Sequence, residues 1–195
     1  MKNPNPRAAV ARKIQRLQQV ADALAAHTEN FFFINRLTVI KSLCAPPDAA
    51  TAFALDLARC TVAEMRHSPE KLPHELMLAR KAIKAIRACH QSPTAENTGN
   101  ARILWYDVQR AQNEIIRPMG KYPVRVIKSM RLLGIENALG CAAFPDAAPD
   151  WAYRAARTYT ERYNSHFGTG LIPESLPFLQ DVIRFWKKYY DLETE

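Results

Sequence analysis

Proline-marked breaks divide this chain into segments that each have the periodicity of an amphipathic helix. The breaks recur about every 25 residues and include Pro46-Pro47, Ser68-Pro69 and Ser92-Pro93. Between them, apolar residues recur at steps of three and four, as in a helix that buries one face. No stretch has the alternation of a strand. We therefore predict an all-α fold, a single irregular helical bundle of about seven to nine helices.

A length of 195 residues suits one domain with one core. The apolar fraction of 48% and the charged fraction of 24% are typical of globular proteins. We predict a single helical domain over 1–195, with flexible connections near 92–100 and 142–150 and an acidic tail at 191–195.

Two apolar segments are expected to contribute heavily to the core. They are the helices predicted from Phe31 to Cys44 and from Leu179 to Tyr189. A basic segment begins at Tyr122-Pro123 and its helix is predicted to run to Leu133. Gly134 is a natural stop for this helix and Gly140 is another, since glycine favours the residue after a helix end.

The positive charge of the chain is regional. The formal net charge is +8, and the segment from Lys71 to Arg131 holds twelve Lys or Arg against four acidic residues. The excess in this segment is therefore also eight, and the rest of the chain sums to zero. A localised excess favours an anionic partner such as nucleic acid, whereas an even spread mostly aids solubility.

Two rows of cations at helical spacing lie within that region. Such rows can follow the phosphates of a polyanion, and the alternative interpretation is a face that meets only water. The predicted polyanion-binding residues are Arg80, Lys84, Arg87, Arg117, Lys121, Arg125, Lys128 and Arg131. The two rows support one surface only if the fold places them side by side.

Aromatic residues among arginines form a second feature found in nucleic-acid-binding proteins. Tyr159 and Tyr163 lie one helical turn apart and are candidates for stacking on bases. The alternative, which aromatic composition favours more strongly, is that these rings fill the core or a subunit contact.

The cysteines and the N-terminus indicate the compartment. Cys44, Cys60, Cys89 and Cys141 are far apart and form no C-x-x-C pair, as expected of reduced thiols in a reducing compartment. The N-terminus lacks an apolar signal region, and the apolar run from Phe31 to Ile34 is much too short to span a membrane. We predict a cytoplasmic protein with no membrane partner.

No motif of catalysis or metal binding occurs in the chain. It contains neither H-E-x-x-H nor G-x-S-x-G, and Gly168-Thr169-Gly170 follows a predicted helix instead of a strand. We therefore predict no catalytic residue, no metal site and no cofactor.

Three functions stay open, in this order. The first is a non-catalytic helical module that contacts nucleic acid or another polyanion through a basic surface. The second is a protein-interaction module or homo-oligomer that uses the helix at 179–190, and full burial of Trp186 and Tyr189 would count against it. The third is an enzyme with a pocket near Trp105–Asp107.

Overall fold

The computed structural model describes residues 6–26, 33–67, 72–116, 123–165 and 175–192, with side chains at 7–26, 38–67, 72–115, 130–159 and 176–192. These ranges contain eight α-helices and one short 3-10 helix, and no strand. The helices are α1 Pro6–Ala25, α2 Phe33–Leu43, α3 Pro47–His67, α4 Pro73–Gln91, α5 Ala95–Ile116, α6 Pro123–Ala143, α7 Ala148–Ser165 and α8 Ser175–Tyr189. The prediction of an all-α bundle of seven to nine helices is confirmed.

None of the described helices is both long and apolar enough to cross a bilayer.

The helices group into two compact units, one formed by 1–43 with 163–195 and the other by 44–162. The single domain over 1–195 stays a prediction.

The first unit is built on α1, which packs against α2 and α8. Side-chain hydrogen bonds reinforce this packing: Lys13 Nζ donates to the carbonyl of Ser42 at 2.9 Å, and the Tyr190 hydroxyl donates to the carbonyl of Leu43 at 3.3 Å. The largest fully buried side chains are Leu17, Ile40, Leu43, Leu179, Val182 and Trp186. The predicted contribution of α8 to the core is confirmed. The side chains of α2 are described from Thr38 onward, and of these Ile40 and Leu43 are buried, so the prediction for α2 is confirmed in part.

The second unit is organised around α6, which packs against α3, α4 and α5. All nine residues at 135–143 are buried, so more than two turns of α6 are enclosed on every side. Small residues allow this enclosure because neighbouring helices can approach closely where side chains are short. Those in this part of α6 are Ala138, Gly140, Cys141, Ala142 and Ala143.

The connection predicted over 92–100 is much shorter in the structure, since α5 already begins at Ala95. Thr94 caps this helix, because its hydroxyl accepts the backbone N–H of Asn97 at 3.2 Å. The Asn97 side chain in turn donates to the carbonyl of Ser92 at 2.8 Å. The polar residues that suggested a loop therefore form a capped helix start, and the mobility of the connection stays a prediction.

The connection predicted over 142–150 is also largely helical. The helix α6 continues to Ala143, a 3-10 helix spans Pro145–Ala147, and α7 begins at the next residue. The Phe144 ring stacks on Trp151 with a centroid distance of 5.8 Å and meets Trp105 edge-on at 5.3 Å. Residues 142–150 were predicted to be a linker from their Ala, Pro and Asp content. In the structure this connection is packed through the aromatic contacts of Phe144.

The predicted stops at Gly134 and Gly140 are both wrong, since α6 runs through these residues to Ala143. Glycine costs helix stability but does not end a helix whose following turns are buried. Within α6, Leu132 and Ile135 are fully buried, whereas Met130 and Leu133 are half-buried.

Candidate polyanion-binding surface

The candidate surface is the exposed face of α4, an amphipathic helix in the second unit. Its apolar side chains Leu78, Ala82 and Ile86 are buried at steps of four residues. Cations occupy the opposite side, as the 3.6-residue period requires. The exposed cations of α4 are Arg80, Lys81, Lys84 and Arg87. We call these four residues the α4 basic face.

No carboxylate accompanies the cations on this face. The one acidic residue of α4 is Glu75, and it is buried, with 8% of its surface exposed. Arg80, Lys84 and Arg87 succeed one another at steps of four and three residues, so they span about 10 Å along the helix axis. Three flexible cations over this length can contact successive phosphates of one strand, which lie about 3.4 Å apart along a duplex.

The second predicted row belongs to the start of α6 and the residues before it. Arg117 and Lys121 lie outside the described residues, and for Arg125 and Lys128 only the helical backbone is described. Arg131 is half-buried, and its Nε is inaccessible to solvent. Arg131 is therefore less available to a partner than the cations of α4.

The helices α4 and α6 pack against each other in the second unit. Arg125, Lys128 and Arg131 belong to α6, so the backbone of this part of the second row lies on a helix adjacent to the one that carries the first row. That the cations of the two rows form one surface stays a prediction, because the side chains of Arg125 and Lys128 lie outside the described part of the chain.

The two candidate stacking residues differ in what the structure describes. The Tyr159 ring is half-buried, and its hydroxyl donates to Glu64 Oε1 of α3 at 2.6 Å. Tyr163 lies in α7, but its side chain is outside the described part of the chain. The contact of Tyr159 with α3 favours the packing role that was the alternative for this residue, and stacking stays a prediction.

The proposed protein-contact helix α8 uses much of its apolar face within its own unit. Trp186 is 0% exposed, and Tyr189 is half-buried. Trp186 also stacks on Tyr190 with a centroid distance of 5.8 Å. Full burial of both Trp186 and Tyr189 would have counted against α8 as an oligomer contact, and only Trp186 is fully buried, so this function stays a prediction.

The residues of the proposed enzyme pocket have roles in packing and at the surface. The Trp105 ring is buried and meets Phe144 and Trp151 edge-on. Asp107 is exposed and pairs with Arg110 at 4.0 Å. The enzyme with a pocket near Trp105–Asp107 stays a prediction.

Buried polar groups at the centre of the second unit are a feature that the sequence reading missed. Burial raises the pKa of the Glu136 carboxyl, and a hydrogen bond with Gln109 lowers it by less. Next to it, Asn137 Nδ2 donates to the Thr158 hydroxyl at 2.9 Å. The available signal was the polar pair Glu136-Asn137 inside an otherwise apolar run of α6.

Metal ligands do not come together in the described ranges, where no three His, Cys, Asp or Glu residues form a group that could hold an ion. All four cysteines are free thiols.

Comparison of the chain with protein-family models, curated proteins and solved structures gives no match.

Proposed function

We propose that this chain is a non-catalytic helical module that binds nucleic acid through the phosphates, with the α4 basic face as the contact. The observation that carries the proposal is a helix face with four exposed cations and no carboxylate. An ordinary solvated helix face mixes both signs of charge, because alternating charges support the helix itself. A face of one sign gives up that support and attracts polyanions.

Binding of this kind is independent of base sequence. Lysine and arginine on phosphates contribute affinity by releasing condensed counterions, so the binding constant falls steeply with salt. Each phosphate contact adds about 0.9 to the slope of log K against log salt on duplex DNA and about 0.7 on single strands. Contacts from three or four cations therefore give a slope of about 3 on duplex DNA.

The test is a fluorescence-anisotropy titration with labelled duplex DNA, single-stranded DNA and RNA at several salt concentrations. The variant Arg80→Glu with Lys84→Glu reverses two charges of the α4 basic face. We expect it to weaken binding to every sequence alike and to lower the salt slope by about 2.

The matched control is Arg184→Glu with Lys188→Glu on α8. These two cations are exposed, stand four residues apart as Arg80 and Lys84 do, and give the same change of net charge. Arg184 also forms an exposed ion pair with Asp181, a kind of contact worth little to stability. The control should bind like the wild type.

A second variant, Lys121→Glu with Arg125→Glu, asks whether the residues around the start of α6 extend the surface. Weaker binding of this variant would support a surface shared by the two rows. Absence of salt-dependent binding by the wild type, or equal weakening by the α8 control, would overturn the proposal.

A further inference from the structure

A stripe of five residues on the solvent-facing side of α5 has the spacing of helices that pair with another helix. The steps along it are three, four, three and four residues, so its members lie on one side of the helix. They are Glu96, Gly99, Ile103, Tyr106 and Arg110. We call these five residues the α5 stripe.

Apolar side chains form the centre of the α5 stripe although they face solvent. Ile103 is 65% exposed and Tyr106 is 52% exposed, and they are two of the three large apolar side chains that the described residues leave exposed. Scattered apolar residues are ordinary on a surface, whereas neighbouring ones form a patch of the kind that marks a protein contact. The Tyr106 ring meets the buried Trp105 ring edge-on with a centroid distance of 5.1 Å. A ring held in this way loses less freedom than a mobile one when a partner binds.

The space above Gly99 is a second observation that points to a partner. Gly99 lies within α5, where glycine destabilises the helix relative to alanine. Glycine inside a helix often has a packing reason, such as close approach of another element. A Cβ atom at Gly99 would meet no described atom within 4 Å, so the described part of the chain does not use this space. The space is therefore available to a side chain of a partner.

The charges of the α5 stripe complement each other when two copies are paired. Glu96 and Arg110 are exposed and lie seven residues to either side of Ile103. Two antiparallel copies of α5 that cross at Ile103 therefore bring Glu96 of each copy opposite Arg110 of the other. The same crossing brings Tyr106 of each copy over the space at Gly99 of the other. A two-fold contact has this property, because residue i meets residue j and residue j meets residue i.

We propose that the α5 stripe is a homodimer interface, on which a second copy of this chain packs with its α5 antiparallel. A second copy covers Ile103 and Tyr106, fills the space at Gly99 and pairs the charges at both ends of the stripe. Arg110 also lies 4.0 Å from Asp107 of its own chain, but both side chains are exposed, so this ion pair contributes little to hold Arg110 away from the partner. The stripe spans about 21 Å of helix, and a contact of this size gives a weak, concentration-dependent dimer.

The test is sedimentation velocity of the full chain without nucleic acid, from about 1 µM to about 1 mM, the range that a small interface requires. We expect the wild type to change from monomer to dimer over this range. Ile103→Lys places two like charges at the centre of the contact and should weaken association at least about tenfold. Met77→Lys is the matched control, because Met77 is also an exposed apolar residue, at 43%, but lies on α4. It should associate like the wild type.

Gly99→Gln separates the interface from the stability of the fold. Glutamine favours the helix over glycine and has open space around it, so the midpoint of thermal unfolding of the monomer should not fall. The longer side chain occupies the space that the partner needs, so association should weaken at least about tenfold.

Charge reversal at the two ends tests the antiparallel arrangement. Glu96→Arg and Arg110→Glu should each weaken association at least about threefold, because each places like charges opposite one another at both ends. The double variant with both substitutions restores opposite charges and the net charge of the wild type, so it should regain most of the association. A parallel pairing would show no loss in the single variants.

A monomer over the whole concentration range would overturn the proposal in favour of a different protein as the occupant of the α5 stripe. Equal weakening by Met77→Lys, or a double variant that does not regain association, would also overturn it. Arg80→Glu with Lys84→Glu should dimerise like the wild type, so this proposal and the nucleic-acid proposal can fail separately. Circular dichroism melting of each variant checks that it is folded.

Discussion

The indole ring of Trp151 in α7 lies directly against the backbone of Gly140 in α6. A Cβ atom at Gly140 would come within 2.8 Å of three ring carbons of Trp151. Phe144 stacks on the same ring, and the guanidinium of Arg154 lies 4.8 Å from its centroid. The ring therefore has little freedom to move aside, and the packing requires glycine at position 140.

The first prediction uses this contact. Gly140→Ala should destabilise the protein by about 1–3 kcal/mol, as overpacking of a filled core does. Gly134→Ala in the same helix should instead stabilise it by about 0.5–1 kcal/mol, since glycine inside a helix costs about that much relative to alanine. Urea unfolding followed by circular dichroism measures both free energies.

Gly134 is a matched control because its added Cβ would meet one described atom, Oγ1 of Thr61, at an ordinary distance of 3.9 Å. Equal free energies of unfolding for the two alanine variants would contradict the packing of Trp151 on Gly140. The variant Trp151→Leu should make Gly140→Ala less costly, and a double-mutant cycle gives that coupling.

The two glycines of α6 also illustrate what the sequence could and could not predict. Periodicity and proline breaks were sufficient for the fold class and for most helices, because both signals are local. The continuation of α6 through Gly134 depends on the helices that enclose residues 135–143, and those lie elsewhere in the chain. The polar start of α5 was predicted to be a loop. The sequence did not reveal the cap, because the hydrogen bond from Asn97 N–H to the Thr94 hydroxyl forms only when the helix forms.

The second prediction concerns the pH dependence of folding. Burial raises the pKa of Glu136 in the folded state above its ordinary value of 4.5. The folded protein therefore binds the Glu136 proton more tightly than the unfolded chain does. The protonated carboxyl stabilises the folded state fully below pH 4.5, and this contribution to the free energy of unfolding is lost as the pH rises through the folded pKa. Glu136→Gln should remove this loss of stability. The loss amounts to about 1.4 kcal/mol for each pH unit by which the folded pKa exceeds the ordinary one.

The measurement is the free energy of unfolding of wild type and variant between pH 4 and about pH 8, the range over which a raised carboxyl titrates. Glu136→Gln should gain stability over the wild type as the pH increases. Glu114→Gln, at an exposed position on α5, controls for the loss of one negative charge. A constant difference between Glu136→Gln and wild type would contradict the titration of Glu136.

The third prediction tests the buried hydrogen bond between α6 and α7. Thr158→Val keeps the shape of the side chain but leaves Asn137 Nδ2 without the acceptor at 2.9 Å. An orphaned buried donor costs about 1–3 kcal/mol. Thr61→Val is the matched control, because Thr61 is equally buried but its hydroxyl bonds only to the carbonyl of Leu57 in its own helix.

Thermal unfolding of the two valine variants supplies the comparison. Thr158→Val should lower the midpoint clearly more than Thr61→Val, and Thr158→Ser should restore most of the difference because the hydroxyl returns. A similar loss in both valine variants would show that the hydrogen bond to Asn137 contributes nothing beyond burial of the side chain.

The candidate site was predictable only in part. The α4 basic face follows from a regular helical period with one charge sign, and the structure leaves Arg80, Lys84 and Arg87 exposed. The same reasoning failed to anticipate the partial burial of Arg131, because exposure along α6 depends on how α3, α4 and α5 cover it.

The fourth prediction concerns the reactivity of the thiols. Burial raises the pKa of Cys44, Cys89 and Cys141, so each has even less thiolate at neutral pH than a free cysteine. Cys60 is the half-buried member of the four. Ellman's reagent should therefore modify Cys60 first in the folded protein and all four thiols in urea, and Cys60→Ser should abolish the native-state reaction. Labelling of Cys89 as fast as that of Cys60, located by peptide mass spectrometry, would contradict the packing of α4 against its neighbours.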